Sequence, residues 1–476
     1  MTAFISLPRL VIAAPQGRSG KTTLSLGICA ALAGRGLVIQ PFKKGPDYID
    51  PSWLSEAAGR ACRSLDTFFL PGAPALRAAL LKGARRGARP ADLCLVEGNH
   101  GLYDSLEEDG SGSSAAVARA LQAPVILVVN AARMSRSAAA MVHGYQTFEP
   151  DTPIAAVILN NVAQGRHLAK LRRAIESYCR IPVIGALPRD AALTIPDRHL
   201  GLVPRGEDAN LIPAIQACRQ AAERFVDLDA VLEIARSAPV WEVPPDRVDA
   251  SPGVAAQPRD KSRQPAIGVI RDQAFSFYYP ENLEALEACG ARLEFIDALH
   301  SPHLPKVDAL YIGGGFPELF LEALSQNVTF RQDVRQAVEA GLPVYAECGG
   351  LMYLSRRITC TNQQAEMVGV LPCEVEMTAT PQGHGYVLAE CTGENPFFAP
   401  GARLRGHEFH NSRLVNLPEG WPVALRLERG AGIGDQRDGL VYRNVFASYF
   451  HLHTDGAPGW AESLVAQARN YSIKTQ

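Results

Sequence analysis

The sequence lacks the features that would place the protein in a membrane, on a nucleic acid or in an oxidising compartment. It has no run of 18 apolar residues, so a transmembrane helix is not expected. Its formal net charge is −2, which argues against general binding to nucleic acid or anionic membranes. The ten cysteines include no C-x-x-C pair and have no regular spacing, which argues against a disulfide framework or a structural zinc site. We therefore predict a cytoplasmic protein with no membrane or nucleic-acid partner.

Short apolar runs alternate with helical patterns along most of the 476 residues, and a chain of this length is expected to form two or three domains. The N-terminal apolar stretch has no basic region before it, so it is predicted as a strand and not as a signal peptide. Continuous apolar strands alternating with helices are typical of parallel sheets covered on both faces. The predicted strands lie at 10–14, 36–42, 92–98, 123–130 and 154–161, and again at 266–270, 292–297, 308–315 and 343–350.

A segment rich in proline and charged residues separates the two series of strands. Residues 239–265 show neither helical nor strand periodicity and are predicted to be a linker. The sequence therefore predicts an α/β protein with a first domain at residues 1–238 and a second at 266–465.

The stretch IAAPQGRSGKTTLSL, residues 12–26, is typical of a phosphate-binding loop that has lost its first glycine. Gly20, Lys21 and Thr22 fit the pattern G-x-x-x-x-G-K-[ST], whereas Pro15 stands where the first glycine is expected. The N–H groups and the dipole of the helix that follows favour an anion at this turn. Lys21 can reach the β- and γ-phosphates, and Thr22 can bind Mg²⁺. The predicted ATP-binding residues of this loop are Gly17, Ser19, Gly20, Lys21, Thr22 and Thr23.

Charged side chains follow the next two predicted strands. The loop PFKKGPDYIDP contains Lys43, Lys44, Asp47 and Asp50, and Glu97 ends the third strand in LVEGNHGLYD. Ligands of parallel α/β sheets bind at the carboxyl ends of the strands, where these residues are expected to lie. Mg²⁺ prefers one or two carboxylates together with phosphate oxygens, which makes Glu97 a candidate ligand. Lys43 and Lys44 could dock an acceptor that carries several carboxylates; a solvated charged turn is the alternative interpretation of their loop.

The second half carries the pattern of a cysteine nucleophile. PVYAECGGLMYL places Cys348 between an apolar strand and a predicted helix, followed by two glycines. Such a turn exposes a thiol at a helix N-terminus, which is expected to lower its pKa. The three glycines of DALYIGGGFPELF can direct backbone N–H groups, those of Gly314 and Gly315, toward a developing oxyanion. His451, at the end of another predicted apolar strand in FASYFHLHTDG, residues 446–456, is the predicted base.

This order of motifs resembles that of class I glutamine amidotransferase domains. Those domains usually carry a glutamate two residues after the histidine, where this chain has His453, so the third member of the triad remains open. The stretch GHEFHNS, residues 406–412, is one residue short of the zinc-binding pattern H-E-x-x-H. It is predicted to be a loop near the glutaminase site or at the domain interface, with a packing role as the alternative.

Taken together, seven motifs resemble those of the cobyrinic acid a,c-diamide synthase family over nearly the whole chain. They are APQGRSGKTT, FKKGPDYIDP, VEGNHGLYD, YIGGGFPELF, AECGGLMYL, GHEFHNS and SYFHLH. The resemblance implies a P-loop NTPase-like domain, related to dethiobiotin synthetase, followed by a class I glutaminase-like α/β domain. It implies that ATP phosphorylates carboxylates of a tetrapyrrole and that ammonia from L-glutamine displaces the phosphate, giving amides at acetates a and c.

The resemblance also implies roles for individual residues. Lys21 and Thr22 would hold ATP, Asp47 and Glu97 would hold Mg²⁺ together with Thr22, and Asp50 would lie near the metal or the substrate. Asn160, at the end of the fifth strand, lies where related NTPases recognise adenine. Cys348 would form a glutamyl thioester while His451 moves protons.

Several alternatives remain open from the sequence. The acceptor could be cobyrinate, hydrogenobyrinate or a tetrapyrrole of the sirohaem or nickel-sirohydrochlorin type, and the chain could form a homo-oligomer. MinD-like ATPases carry a lysine where this chain has Gln16, and a regulatory ATPase of that kind would leave the cysteine domain unexplained. A non-enzymatic binding module would account for neither set of charged loops.

Overall fold

The computed structural model describes residues 3–193, 197–198, 201–202, 211–243, 264–361 and 363–475. The chain divides into two units, Met1–Ser251 and Pro252–Gln476. Within the described residues, no helix is both long enough and apolar enough to cross a membrane.

The first unit is built from strands that alternate with helices. Its strands are β1 Ala3–Ile5, β2 Arg9–Ala13, β3 Ile39–Lys44, β4 Arg63–Leu65, β5 Leu93–Glu97, β6 Val125–Asn130, β7 Ile154–Val162, β8 Val183–Pro188, β9 Asp197–Arg198, β10 Gly201–Leu202 and β11 Trp241–Val243. Its helices are α1 Lys21–Gly34, α2 Ile49–Ala58, α3 Ala73–Arg85, α4 Ser114–Leu121, α5 Arg136–Phe148, α6 Arg166–Cys179, α7 Leu211–Phe225 and α8 Leu228–Arg236, with a 3₁₀ turn at Ala191–Leu193.

Seven of these strands form one sheet in the order β4-β3-β5-β2-β6-β7-β8, and every neighbouring pair in it is parallel. The parallel sheet predicted from the sequence is confirmed. All residues of β2, β3 and β5 are buried, as expected for strands covered by helices on both faces. The carboxyl ends of β2, β3 and β5 therefore lie side by side, and each is followed by one of the predicted site motifs.

The second unit begins with the same alternation and continues with strands alone. Its strands are β12 Ala266–Ile270, β13 Arg292–Ile296, β14 Ala309–Ile312, β15 Val344–Glu347, β16 Arg357–Cys360, β17 Gln363–Glu366, β18 Glu374–Met377, β19 Gly383–Cys391, β20 Arg403–His410, β21 Ser412–Val415, β22 Val423–Arg429, β23 Arg437–Tyr442, β24 Val445–Ser448 and β25 His451–Leu452. Its helices are α9 Pro280–Ala288, α10 Leu321–Gln326, α11 Val328–Glu339, α12 Gly349–Leu354 and α13 Trp460–Thr475, with 3₁₀ turns at Pro317–Leu319 and Thr454–Gly456.

The main sheet of the second unit has ten strands in the order β13-β12-β14-β15-β24-β23-β22-β19-β20-β25. The first five strands in this order are parallel to their neighbours, and the pairs from β24 through β25 are antiparallel. A smaller sheet has the order β17-β16-β18-β21. Apolar clusters cover both faces of the parallel part: one includes Ile270, Ile312 and Ala346, and the other includes Tyr311 and Tyr345.

The chain brings one end of this sheet back to its middle. Ser448 ends β24 in the middle of the order, whereas His451, which was expected at the end of a strand, begins β25 at the far end. Three residues of extended chain span at most about 11 Å, so the antiparallel half must curve back toward the parallel half. His451 is consequently held close to the carboxyl ends of β14 and β15, where the glycine loop and the cysteine turn begin.

A buried arginine holds the chain that follows α8 against the sheet of the first unit. The side chain of Arg9 donates hydrogen bonds to four backbone carbonyls, of which those of Leu121 and Pro239 are the nearest at 2.7 Å. Its guanidinium also lies 4.1 Å above the ring of Trp241. Trp241 belongs to β11, which pairs antiparallel with β1. The prediction that the segment starting at residue 239 is all linker is therefore wrong for β11; residues 244–263 lie outside the described residues.

Replacing Arg9 with methionine is expected to destabilise the first unit. The buried carbonyls would lose their charged donor, and the indole would lose its cation, so the free energy of unfolding should fall by on the order of 3 kcal/mol. Urea denaturation of the intact protein measures this change. The control is Arg35→Met, which removes an exposed ion pair with Asp229 and should cost less than about 1 kcal/mol. Equal stability of the two variants would contradict a structural role for Arg9.

Candidate active sites in the two units

The phosphate loop joins β2 to α1 and depends on one glycine. Gly20 immediately precedes the helix with φ 98°, a backbone conformation that favours glycine. A Cβ atom at this position would also collide with the side-chain amide of Asn160. That amide donates a hydrogen bond of 3.0 Å to the carbonyl of Ser19, so the end of β7 supports the loop. An alanine at position 20 therefore fits neither the backbone nor the space.

The ammonium of Lys21 reaches across this loop to backbone oxygens. Its Nζ donates to the carbonyl of His100 at 2.6 Å and lies 3.4 Å from that of Gln16, which also accepts a hydrogen bond from the hydroxyl of Ser19. Burial, and next the nearby charge of Lys43, lower the pKa of Lys21 to about 8. Neutral carbonyls are acceptors that a phosphate oxygen can replace, so Lys21 is available to an anion bound at the start of α1.

Thr22 and Glu97 meet at the carboxyl edge of the sheet. The hydroxyl of Thr22 donates to Glu97 Oε1 at 2.9 Å, and Glu97 is completely buried. Its other oxygen, Oε2, accepts no hydrogen bond within the described structure, which is costly for a buried carboxylate. A cation beside Thr22 would satisfy this oxygen, so the two residues fit the predicted Mg²⁺ site. The described residues contain no cluster of three or more His, Cys, Asp or Glu arranged for a metal, so phosphate or water oxygens would have to complete the coordination.

Lys43 lies where three carboxylates converge. Its side chain is 3% exposed, and its Nζ forms ion pairs with Asp50 and, at 2.7 Å, with Glu97, while Asp47 Oδ2 is 3.8 Å away. Burial alone would lower the pKa of Lys43, but Asp50 and Glu97 outweigh it and raise that pKa well above its usual value. Burial, and next the charge of Asp50, raise the pKa of Asp47 to about 7. Lys43, Asp47, Asp50 and Glu97, which the sequence predicted as metal and acceptor residues, thus form one largely buried charge network.

The remaining residues of the predicted nucleotide site lie around this network. Burial lowers the pKa of Lys44, which is 7% exposed. The hydroxyl of Thr23 donates to the carbonyl of Leu193 at 3.5 Å, and Gly17 has open space where a side chain would stand. The side-chain amide of Asn160 is hydrogen-bonded to the loop backbone, and a role of this residue in adenine recognition stays a prediction. Sequence reasoning missed the carbonyls that hold Lys21, because a backbone acceptor leaves no signal in residue type.

In the second unit, Cys348 stands on a sharp turn between β15 and α12. Its backbone has φ 45° and ψ −98°, a conformation that non-glycine residues rarely adopt, and its N–H donates to the carbonyl of Ser448 at 2.7 Å. This strand, turn and helix have the geometry expected of a nucleophile elbow. Strain at a cysteine in such a turn is a frequent feature of reactive sites.

The expected lowering of the thiol pKa is wrong for the free protein. Burial raises the pKa of Cys348, and the charges of Glu318 and Glu347 add to that rise. The sulfur lies 3.9 Å from the carbonyl of Phe409, to which a protonated thiol can donate. A thiol in this environment needs a neighbouring base to become a nucleophile.

The glycine loop after β14 brings the cysteine turn and the candidate base together. A Cβ atom on Gly349 would lie 3.1 Å from the backbone nitrogen of Gly315. A Cβ atom on Gly314 would collide with the ring of His451. The backbone nitrogen of Gly315 therefore lies close to the elbow, while Gly314 lies against the imidazole. The four residues that the sequence predicted for this site, Cys348, His451, Gly314 and Gly315, are thus neighbours in the structure.

His451 is buried between a carboxylate and a second imidazole. Its Nδ1 lies 3.6 Å from Glu347 Oε2, and both side chains are at most 2% exposed. The ring of His407 stacks on it with centroids 4.9 Å apart and an interplanar angle of 17°. Burial, and next the charges of His451 and His453, lower the pKa of His407 well below its usual value, so His407 is neutral. Glu347 is thus the negatively charged group in contact with the candidate base.

The stretch GHEFHNS, predicted to be a loop, instead comprises the end of strand β20, Asn411 and the first residue of β21. His407 pairs with His451 in the register of β20 with β25, so its predicted position near the cysteine site is correct. Successive side chains of the strand make different contacts. The carboxylate of Glu408 accepts the N–H groups of Ala431 and Gly432 at 2.6 and 2.8 Å, which fixes a neighbouring loop. The strand was not recognised from the sequence, because polar residues on both of its faces replace the alternation of apolar and polar residues expected of a strand.

A second buried carboxylate supports the segment that carries the base. Asp438 accepts hydrogen bonds from the N–H groups of Tyr449 at 3.1 Å and Phe450 at 3.0 Å, the two residues before His451. Burial raises the pKa of Asp438 to about 7. Sequence reasoning missed both Asp438 and Glu347, although Glu347 left a signal, since a glutamate in a strand that is otherwise apolar is unusual.

Comparison with known proteins assigns each unit to a domain family. Residues 10–203 match the CobQ/CobB/MinD/ParA nucleotide binding domain, and residues 266–459 match the CobB/CobQ-like glutamine amidotransferase domain. The chain is 45% identical to the cobyrinate a,c-diamide synthase of Magnetococcus marinus over 96% of each chain. It is 40% identical to the enzyme of that name from Methanosarcina barkeri, over 98% of this chain and 97% of the relative. The corresponding protein of Archaeoglobus fulgidus is 41% identical over 94% and 95%.

Near-complete alignment at this level of identity, with both domain types in the same order as the motifs, confirms the resemblance drawn from the sequence. The chain belongs to the cobyrinate a,c-diamide synthase family and is a glutamine-dependent ligase with a nucleotide-binding domain and a glutamine amidotransferase domain.

Proposed function

We propose that the protein converts the a- and c-acetate carboxylates of cobyrinate to amides in the cytoplasm, using one ATP and one glutamine for each amide. The observation that carries this proposal is the presence, in one chain, of a phosphate loop backed by Thr22 and Glu97 and of a strained cysteine turn beside His451. The names of the relatives supply the acceptor. Hydrogenobyrinate and sirohydrochlorin-type tetrapyrroles are the alternative acceptors.

The first unit is proposed to activate the carboxylate. A carboxylate is a poor acyl donor because its oxygen leaves badly, and transfer of the γ-phosphoryl group from ATP turns that oxygen into a good leaving group. Lys21 would stabilise negative charge on the transferring group. Thr22, Glu97 and Asp47 would hold Mg²⁺, which would neutralise charge on the phosphate oxygens when bound. ADP leaves, and the acyl phosphate remains on the acceptor.

The second unit is proposed to supply ammonia. His451 takes the proton of Cys348, the thiolate attacks the amide carbon of glutamine, and the amides of Gly314 and Gly315 stabilise the oxyanion. His451 returns the proton to the leaving nitrogen, which departs as ammonia. Water then hydrolyses the thioester to glutamate and restores the thiol. The ammonia displaces phosphate from the acyl phosphate, so each amide costs one ATP, one glutamine and one water.

Lys43, Lys44 and Asp50 are proposed to position the acceptor. A tetrapyrrole with several ionised acetates needs positive charge close to the expected γ-phosphate. Lys43 already has carboxylate partners in Asp50 and Glu97. An acceptor carboxylate of the same chemistry can exchange with Asp50, which places the reacting group beside the metal ligands.

Measurement of activity with a set of candidate acceptors tests this function. ADP and glutamate release should be measured with cobyrinate, hydrogenobyrinate, metal-free and nickel sirohydrochlorin, and a small dicarboxylic acid. We expect cobyrinate to stimulate both products in equal amounts, with two amides formed per molecule. ADP release that needs no acceptor would favour a regulatory ATPase, and stimulation by the small acid alone would exclude a tetrapyrrole ligase.

Cys348→Ala is expected to abolish amidation with glutamine and to leave amidation with ammonium salts, because only the supply of ammonia needs the thiol. The assay follows acceptor amidation with each nitrogen source. Cys373→Ala is the matched control, since Cys373 is a fully buried cysteine of the same unit that has no proposed chemical role. Equal loss with both nitrogen sources would make Cys348 a structural residue.

Lys21→Ala is expected to reduce amidation from both nitrogen sources by on the order of a hundredfold, because the loop loses the fixed positive charge that faces the transferring phosphoryl group. Glutaminase activity measured without acceptor should persist, which shows that the chain is folded. Lys82→Ala, an exposed lysine at the end of α3, is the control. Turnover close to that of the unchanged protein would exclude this loop as the site of phosphoryl transfer.

A further inference from the structure

The candidate base of the second unit lacks the carboxylate that its sequence pattern would supply. At the position of the usual glutamate, two residues after His451, stands His453. The Nδ1 of His453 accepts a hydrogen bond of 3.2 Å from the N–H of Asp455, and its ring packs edge-on against Tyr279 with centroids 4.7 Å apart. His453 is therefore occupied in holding the turn after β25 and provides no negative charge to its neighbour.

Glu347 lies next to the imidazole of His451. It is the last residue of β15, directly before Cys348, and it is fully buried. Its Oε2 lies 3.6 Å from His451 Nδ1, beyond hydrogen-bond distance, and accepts no hydrogen bond within the described structure. Its Oε1 accepts the N–H of Leu452 at 3.2 Å, so the carboxylate is attached to the strand that carries the base.

Two further side chains fix the position of this carboxylate. The hydroxyl of Tyr311, on β14, lies 3.4 Å from Glu347 Oε1. Asn282 donates to that hydroxyl at 3.3 Å and to the carbonyl of Leu452 at 2.8 Å. Its oxygen accepts the N–H of Thr454 at 2.8 Å. One hydrogen-bonded network thus holds Glu347 in a fixed position relative to strand β25, which carries His451.

We propose that Glu347 is the positioning residue of His451, in the role that the glutamate after the histidine has in class I glutamine amidotransferases. The proposal rests on the glutaminase function above and deepens it. In this role Glu347 orients the ring through Nδ1, and the other ring nitrogen, Nε2, exchanges the proton with the thiol. The residue that orients the base and the nucleophile itself are therefore neighbours in sequence, and a shift of β15 would move both together.

The charge of Glu347 also acts on the cationic form of the base that arises during the reaction. Among the titratable groups around His451, Glu347 is the carboxylate and His407 is the stacked imidazole, while His453 is two residues further along the chain and Cys348 directly follows Glu347. A negative charge at this distance stabilises the protonated ring that forms when the thiol is deprotonated. Burial raises the pKa of Glu347 itself, and its contacts with His451 and Leu452 oppose that rise.

Glu347→Gln removes the negative charge of the side chain and keeps its shape, because glutamine has the same size and can still accept the N–H of Leu452. We expect kcat for glutamine hydrolysis to fall by on the order of tenfold to a hundredfold, with little change in KM and none in amidation with ammonium salts. Removal of a buried negative charge beside the base should also change the pH profile of kcat, which loss of a purely structural contact would not do.

Glu408→Gln is the matched control, because Glu408 is another buried glutamate near the site whose contacts are to loop amides and to His410. It should leave the pH profile of glutamine hydrolysis in place even if the protein becomes less stable. If Glu347→Gln fails to fold, Glu347→Asp keeps the charge and should retain the position of the profile at a reduced rate.

The outcomes separate this proposal from the function on which it rests. If the unchanged protein hydrolyses glutamine through Cys348 and Glu347→Gln keeps both the rate and the profile, Glu347 does not position the base. An equal shift in the Glu408 variant would make the effect structural and overturn the proposal in the same way. Absence of glutamine hydrolysis in the unchanged protein would instead overturn the glutaminase function itself.

Discussion

The carboxyl edge of the parallel strands is the constraint on which both candidate sites depend. In the first unit β2, β3 and β5 are adjacent and parallel, so the residues directly after these strands lie close together without long connecting loops. In the second unit the same constraint brings the glycine loop after β14 beside the cysteine turn after β15. Residues far apart in the sequence become neighbours because parallel strands share one edge.

The buried charges at these edges have different partners in the two units. In the first unit, Lys43 forms ion pairs with Asp50 and Glu97, whose negative charges would otherwise repel one another. In the second, Glu347 faces the imidazole of His451, and Asp438 holds the backbone before it. Buried carboxylates are costly unless they are paired, so each of these contacts ties the geometry of a site to the stability of the core around it.

The sequence was sufficient for most of the parallel strands and for the motifs at their ends, and insufficient elsewhere for identifiable reasons. The five strands predicted in the first half are the inner five of the seven-stranded sheet; both edge strands, β4 and β8, were missed, and β4 is only three residues long. The antiparallel strands of the second unit were missed because residues such as those of β19 alternate between buried and exposed, and polar residues interrupt their apolar pattern. The position of Glu347 beside His451 and the burial of the Cys348 thiol depend on tertiary packing, which no local pattern records.

In the proposed reaction phosphate is transferred to the acceptor carboxylate before ammonia attacks, so the carboxylate oxygen has a defined fate. Cobyrinate labelled with ¹⁸O in its acetate groups should be amidated with ATP and glutamine, and the inorganic phosphate analysed by mass spectrometry. One labelled oxygen is expected in phosphate for each amide formed, because the acyl phosphate breaks between the acyl carbon and the oxygen that came from the carboxylate. Amide formation with unlabelled phosphate would rule out this order of steps.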